Sequence, residues 1–150
     1  MLKPILLVED DPNDLELMLM AIERTGVVHA VDVARDGVEC LDYLHARADF
    51  EGRMTGNPSL IVLDQTLPRL DGAEVLTQIR GIETLKLIPV VMLTSSLKDA
   101  VVERAYELGA NACVVKPVDF LSFLQVIGEL VKFWTQLNHL PENSHPQASS

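Results

Sequence analysis

Five short apolar runs, each followed by a turn and then by helical periodicity, set the strongest limit on how this chain folds. Short apolar runs bounded by turn residues are typical of buried strands. Strands that alternate with helices favour a parallel sheet covered on both faces. The sequence therefore predicts an α/β fold, with strands at residues 4–8, 27–34, 60–63, 88–93 and 112–115.

The helical segments are predicted at about residues 12–26, 38–44, 73–81, 97–108 and 119–138, the last being the longest. Residues 49–59 contain Gly52, Gly56, Asn57 and Pro58, which indicate a surface loop. We expect residues 1–138 to form one domain and residues 139–150 to form a flexible tail. A chain of 150 residues is long enough to bury one core.

Composition excludes several classes of protein. The net charge of −10 argues against direct nucleic-acid binding, which needs a basic surface. No apolar run is long enough to span a membrane, and the N-terminus does not resemble a signal peptide. Cys40 and Cys113 are too few and too far apart to suggest a disulfide framework or a zinc site. We therefore expect a cytoplasmic protein.

Polar residues follow four of the predicted strands at the point where each strand ends. Because the carboxyl ends of parallel strands meet at one edge of the sheet, we expect these side chains to lie together. Clustered carboxylates repel each other unless a cation is present, and oxygen ligands with phosphate suit Mg²⁺. A carboxylate nucleophile, a hydroxyl and a lysine are the groups that phosphoryl transfer to protein uses. These residues are Glu9, Asp10, Asp11, Asp64, Thr94 and Lys116.

Taken singly, each of these residues has an ordinary structural explanation. An aspartate at a strand end commonly caps the next helix, and an acidic pair before a helix complements its dipole. A Lys-Pro pair after a strand commonly forms only a loop. The functional interpretation depends on all of them occurring together, each at the end of a predicted strand.

The order and spacing of these motifs resemble the receiver domain of two-component response regulators, over residues 4 to about 138. The matching segments are Leu7-Val8-Glu9-Asp10-Asp11, Leu63-Asp64-Gln65-Thr66-Leu67-Pro68-Arg69-Leu70-Asp71-Gly72, Leu93-Thr94-Ser95 and Val115-Lys116-Pro117. The resemblance implies a doubly wound, flavodoxin-like sheet with strand order 2-1-3-4-5, and a stand-alone regulator rather than an enzyme. It implies that a sensor histidine kinase donates the phosphoryl group and that the protein assists its own phosphorylation and dephosphorylation.

The resemblance also implies a role for each site residue. Asp64 is the phosphoacceptor, and Thr94 and Lys116 are the switch hydroxyl and the phosphate-binding lysine. Asp10 binds Mg²⁺ directly, whereas Glu9 acts through water. Asp64 and the backbone carbonyl of Thr66 complete the metal ligands. A peripheral role is implied for Asp11, and a cis peptide bond for Lys116-Pro117.

Two features distinguish this chain within the family. Receivers often carry an aromatic residue three positions before the lysine, where this chain has Cys113, which we interpret as a small buried apolar residue. The fifth helix is more apolar than one buried face requires, and we expect an exposed patch around Val126, Phe133 and Trp134. This ending resembles the single-domain receivers that serve bacterial phytochromes. It implies a phytochrome-type kinase as partner and a homodimer built with the C-terminal helix region.

Two other functions remain open from the sequence. An aspartyl-nucleophile phosphohydrolase of the haloacid dehalogenase type would need a second aspartate two residues after Asp64, where this chain has Thr66. A flavodoxin-like cofactor-binding protein would need a loop after the first strand that holds phosphate, but Glu9, Asp10 and Asp11 repel phosphate in the absence of a metal.

Overall fold

The computed structural model describes residues 2–53, 56–96 and 98–141. Five parallel strands form one sheet in the order β2-β1-β3-β4-β5, which confirms the predicted fold class. The strands are β1 (Ile5–Val8), β2 (Val31–Ala34), β3 (Leu60–Asp64), β4 (Val90–Thr94) and β5 (Ala112–Val115). Because β1, β3 and β4 lie inside the sheet, their side chains are buried on both faces, as continuous apolar runs predict.

Five α-helices connect and cover the strands, and four of them are preceded by an aspartate that caps the helix N-terminus. The helices are α1 (Pro12–Thr25), α2 (Gly37–Leu44), α3 (Gly72–Gly81), α4 (Asp99–Glu107) and α5 (Phe120–Lys132). The side chains that cap α1, α2, α3 and α5 accept backbone N–H groups of the first turn, which fixes where these helices start. They are Asp11, Asp36, Asp71 and Asp119. By contrast, Lys98 precedes α4 and makes no such bond.

Two apolar layers hold the helices on the sheet. On one face, α1 and α5 pack around Met18 and Ile127, both of which are fully buried. On the other face, α2 and α3 pack around Tyr43 and Ile79. Helix α4 contributes one buried side chain, Ala105, so it is the least anchored of the five α-helices in the described part of the chain.

Several predicted boundaries are corrected by the structure. Strand β2 begins at Val31 and not at residue 27, because the chain passes over the surface after Gly26 and leaves Val28 79% exposed. Strand β4 begins at Val90, since Pro89 has no N–H to donate to a ladder. Residues 48–50 form a short 3₁₀ turn within the predicted loop.

The predicted fifth helix changes character after Lys132. Residues Phe133–Leu137 form a π-helical turn, in which the Asn138 N–H donates to the carbonyl of Phe133 over 2.8 Å. Phe133 is 48% exposed, as expected. Val126 and Trp134 were expected to be exposed but are half-buried, because they pack against the α1–α5 layer.

Some expectations fall outside the described residues. Most of the predicted tail, residues 142–150, lies there, as do Met54, Thr55 and Leu97. Among the described residues, no helix combines the length and apolar character that crossing a membrane requires.

Candidate functional site

Three carboxylates meet at the carboxyl edge of the sheet. Glu9 and Asp10 directly follow β1, and Asp64 is the last residue of β3, the strand paired with β1. One oxygen from each of these residues lies within 4.8 Å of the other two. Glu9 and Asp64 are buried, while Asp10 is exposed and faces the opening. A group of hard oxygen donors this close together matches the ligand preference of a divalent cation.

Lys116 crosses the edge of the sheet to reach these acids. It follows β5, and its N–H donates to the carbonyl of Thr94 over 2.7 Å, which continues the β4–β5 pairing. Its Nζ donates to Glu9 Oε1 over 2.8 Å, to Asp14 Oδ2 over 3.1 Å and to Asp64 Oδ2 over 3.3 Å. The ammonium group has three protons, so each has a carboxylate acceptor.

Burial and charge shift the ionisation of this cluster. Burial raises the pKa of Glu9 to about 7, against the opposing effect of its hydrogen bond to Lys116. Burial also raises the pKa of Asp64, again opposed by the positive charge of Lys116. For Lys116, burial alone would lower the pKa, but the hydrogen bond to Glu9 and the charge of Asp64 outweigh it and raise the pKa above its ordinary value. Because several carboxylates surround the one ammonium group, negative charge exceeds positive charge at this site. Such an excess is expected where a site binds an added cation.

The loop after β3 shapes the open side of the site. The N–H of Gly72 donates to the carbonyl of Gln65 over 3.0 Å, and a Cβ at position 72 would come within 2.5 Å of the Asp64 carbonyl oxygen. Glycine is therefore required where α3 approaches the end of β3. Arg69 has φ of 65° and forms two hydrogen bonds from its guanidinium to Asp36, which hold the loop against the start of α2.

The structure brings nearly all of the predicted site residues to one cavity. Its volume is about 400 Å³. The cavity is lined by Glu9, Asp10, Asp11, Asp14, Asp64, Thr66, Ser95 and Lys116. Asp11 lies at its margin, where its side chain caps α1. The expected cis bond at Lys116-Pro117 is wrong, since the described residues contain no cis peptide; the trans form has the lower free energy for a generic X-Pro pair.

Thr94 is the one predicted residue that does not line this cavity. It is buried at the end of β4, and its hydroxyl donates to Gln65 Oε1 over 2.5 Å. The hydroxyl oxygen of Thr94 accepts the N–H of Ser96 over 3.1 Å. The Thr94 hydroxyl is therefore adjacent to the site but is directed to a neighbouring amide.

Two residues of the site were not singled out from the sequence. Asp14 contacts Lys116, and its place in the first turn of α1 also lets it complement the helix dipole. Gln65 binds Thr94, although it was noted only as part of a motif. For Asp14, its place one turn into a helix that begins at the site is a signal that could have identified it.

Comparison with known proteins identifies the family. The family model "Response regulator receiver domain" matches residues 5–128. The chain belongs to this family. Receiver domains accept phosphoryl groups from histidine kinases and act as regulators in two-component signalling. Neither the phosphohydrolase nor the cofactor-binding interpretation is favoured by this result.

Two curated relatives match this receiver over most of their length. The probable methanogenesis regulatory protein FilR2 of Methanothrix harundinacea is 39% identical over 137 residues, which cover 91% of this chain and 86% of FilR2. The response regulator Rcp1 of Synechocystis sp. is 34% identical over 139 residues, covering 93% of each chain. A structure of Rcp1 with Mn²⁺ has a TM-score of 0.85 and covers 93% of this chain and 99% of Rcp1.

Solved structures place this receiver near phytochrome response regulators. The bacteriophytochrome response regulator RtBRR is 53% identical, with a TM-score of 0.76 over 96% of this chain and 87% of RtBRR. The phosphorylated cyanobacterial phytochrome response regulator RcpA is 34% identical, with a TM-score of 0.87 over 95% of this chain and all (100%) of RcpA. Receiver domains bind divalent metal ions, and the oxygen cluster of Glu9, Asp10 and Asp64 fits such an ion.

Proposed function

We propose that this receiver accepts a phosphoryl group on Asp64 from the phosphohistidine of a sensor histidine kinase. The observation that carries the proposal is that Asp64 belongs to the cluster of acidic oxygens and also accepts a hydrogen bond from the Lys116 ammonium. In the transfer, an Asp64 carboxylate oxygen bonds to phosphorus as the bond from phosphorus to the kinase imidazole breaks. The product is an acyl phosphate on the buried end of β3.

The surrounding residues divide the remaining tasks. We assign Asp10, Asp64 and the Thr66 backbone carbonyl as ligands of Mg²⁺, with Glu9 beside them. When bound, Mg²⁺ offsets the negative charge that collects on the transferring group. Lys116 donates to a phosphoryl oxygen, and the Thr94 hydroxyl moves to donate to another. These movements repack β4, α4 and β5, which changes what the surface binds.

The chain acts as a regulator and not as an enzyme with an external substrate. Its own residues assist both the gain and the loss of the phosphoryl group, since the same charges stabilise the transition state in either direction. We further propose that it works as a stand-alone regulator, because the matched relatives Rcp1 and RcpA align over nearly their full lengths. We also propose that it acts in the cytoplasm.

The phosphoacceptor is tested with acetyl phosphate and intact mass measurement. Wild type and the control Asp49→Asn, an exposed acid, should gain the mass of one phosphoryl group in the presence of Mg²⁺. Asp64→Asn should gain none, and omission of Mg²⁺ should slow the wild-type reaction strongly. A phosphoryl adduct on Asp64→Asn, or equal reaction without a metal, would show that another residue or mechanism is responsible.

We propose a phytochrome-type kinase as the donor, because RtBRR and RcpA are described as phytochrome response regulators and resemble this chain over nearly its whole length. Phosphorylated phytochrome kinase should transfer its label to this receiver much faster than a kinase of another sensor class does. Equal rates from both kinases would remove the partner assignment and leave the phosphoacceptor untouched.

We also propose a homodimer formed through the C-terminal helix region. Leu121 is 62% exposed, Phe133 48% and Leu137 78%, and large exposed apolar side chains commonly mark interfaces. Truncation before Lys132, or Phe133→Ser with Leu137→Ser, should weaken association in sedimentation. Met20→Ser, an exposed apolar site on α1, is the matched control. An unchanged sedimenting mass in both C-terminal variants would exclude this interface.

A further inference from the structure

The single proton of the Thr94 hydroxyl is already engaged in this structure. It is donated to Gln65 Oε1 over 2.5 Å, and the hydroxyl oxygen accepts the Ser96 N–H over 3.1 Å. Thr94 is only 2% exposed, so water does not compete for the group. Because a hydroxyl has one proton to donate, Thr94 can serve Gln65 or a phosphoryl oxygen but not both at full strength.

Gln65 is held where it can act as this acceptor. Its N–H donates to the carbonyl of Leu93 over 2.9 Å, which continues the β3–β4 pairing beyond Asp64. Its own carbonyl accepts the Gly72 N–H over 3.0 Å, and the close approach of Gly72 leaves its backbone little room. The half-buried side chain then reaches across to the next strand, where Thr94 ends β4.

We propose that Gln65 is a positioning residue that competes with a phosphoryl group on Asp64 for the Thr94 proton. This inference rests on the proposed function, in which Thr94 donates to a phosphoryl oxygen. A hydrogen bond to a charged oxygen is about twice as strong as one between neutral groups, so the exchange is favourable. The Gln65 bond that is lost subtracts from the gain, and it therefore sets how completely Thr94 switches.

The same contact would also exist if Gln65 only satisfied a buried hydroxyl. That role predicts that loss of the amide destabilises the fold, with no improvement in the binding of a phosphoryl group. Competition predicts an improvement, and it predicts that the improvement disappears when Thr94 has no hydroxyl. The two roles are separated by a double-mutant cycle.

The test uses the full chain with Mg²⁺ and beryllofluoride, which mimics a phosphoryl group on a carboxylate. Binding is followed by amide NMR shifts for wild type, Gln65→Leu, Thr94→Ala and the double variant. Gln65→Leu should bind about threefold to tenfold more tightly, the range that one net hydrogen bond gives. In the Thr94→Ala background the same change should alter affinity by less than about twofold.

Several controls make the result specific. Gln78→Leu removes an exposed amide from α3 and should leave affinity unchanged. Gln65→Met serves as a second variant without the amide acceptor in case Leu impairs folding, since a thioether sulfur accepts hydrogen bonds only weakly. Before any ligand is added, Gln65→Leu should also shift the Ser96 amide, which donates to the released hydroxyl.

The outcomes decide between the claims. Unchanged or weaker binding by Gln65→Leu and Gln65→Met, or an equal gain in the Thr94→Ala background, overturns the role of Gln65. If the Gln65 variants fail in this way but wild type binds beryllofluoride and accepts a phosphoryl group, the proposed function stays intact and only the role of Gln65 is overturned. If wild type does neither, the proposed function and this inference are both overturned.

Discussion

At the scale of single residues, the ammonium group of Lys116 is shared among the carboxylates of the site. Lys116 Nζ donates to three carboxylates, and the distance to Asp14, 3.1 Å, is shorter than the 3.3 Å to Asp64. Asp14 is therefore a third acceptor that holds the ammonium on the α1 side of the cavity. It also adds negative charge to the region that an anionic phosphodonor must enter.

Asp14→Asn should accelerate phosphorylation by acetyl phosphate by about twofold to fivefold, because it replaces a charged acceptor of Lys116 with a weaker neutral one and removes a repelling charge. Initial rates from intact mass at several ionic strengths measure the effect. Glu16→Gln, an exposed acid on the same helix, changes the net charge equally and should have less than half the effect. Equal acceleration by both variants would show that net charge alone explains the faster reaction. Slower phosphorylation of Asp14→Asn would contradict the proposed role of Asp14.

The site residues that directly follow a strand were predictable from the sequence. Glu9, Asp10, Asp64 and Lys116 follow strands directly, so the sheet topology alone places them at one edge. The Lys116–Asp14 contact joins residues 102 positions apart, and the Thr94–Gln65 contact depends on which way an amide turns. Apolar periodicity records which positions are buried, but it does not record which polar partner each side chain selects.

At the scale of elements, the five α-helices differ in how firmly they start. The predicted starts of α1, α2, α3 and α5 lie within one residue of the observed ones, although the aspartates that cap these helices were not singled out as caps. Helix α4 was predicted from residue 97 but begins at Asp99, after Lys98, which makes no side-chain cap bond. The π-helical turn at Phe133–Leu137 was not predicted, because the apolar pattern continues through it.

Lys98→Asp should stabilise the protein by about 1 kcal/mol, since residue 98 has the extended backbone of an N-cap and an aspartate there can accept first-turn N–H groups. Thermal unfolding should show a midpoint about 2–4 °C higher. Lys98→Glu makes the same change in net charge without supplying a good cap and should change the midpoint by less than half as much. Amide exchange in α4 should slow in Lys98→Asp alone, and unchanged exchange would contradict the capping explanation.

At the scale of the whole molecule, hydrogen bonds from the guanidinium of Arg80 connect three segments of the chain. They lie at the edge of the sheet opposite the site. It projects from α3, donates to the carbonyls of Ile88 and Gly109 over 2.8 Å each, and donates to Asn111 Oδ1 over 2.8 Å. Asn111 Oδ1 in turn accepts the N–H of Val90 over 2.8 Å. The planar group thus joins α3 to the start of β4 and to the α4–β5 connection.

Arg80→Lys should lower the free energy of unfolding by about 2 kcal/mol, because an ammonium cannot reproduce the fixed fork of donors and leaves carbonyls without a partner. Urea unfolding measures the loss. Arg104→Lys, in an exposed ion pair of 4.0 Å, should change stability by less than about 0.5 kcal/mol. A loss at Arg80 no larger than that at Arg104 would show that these bonds contribute little.

The weak anchoring of α4 bears on which elements a phosphoryl group on Asp64 can displace. One hydrogen bond to a charged oxygen contributes only about 1.5–3 kcal/mol, so a phosphoryl group can rearrange only what costs less than this to move. Helices α1 and α5 are tied into a continuous apolar layer, and displacing either one would expose several buried side chains. Helix α4 has one buried side chain, Ala105, and no side-chain cap bond, so we expect it to be the helix that moves at the lowest cost in free energy. We therefore expect the response to centre on α4 and the neighbouring strands β4 and β5, while the α1–α5 layer keeps its position.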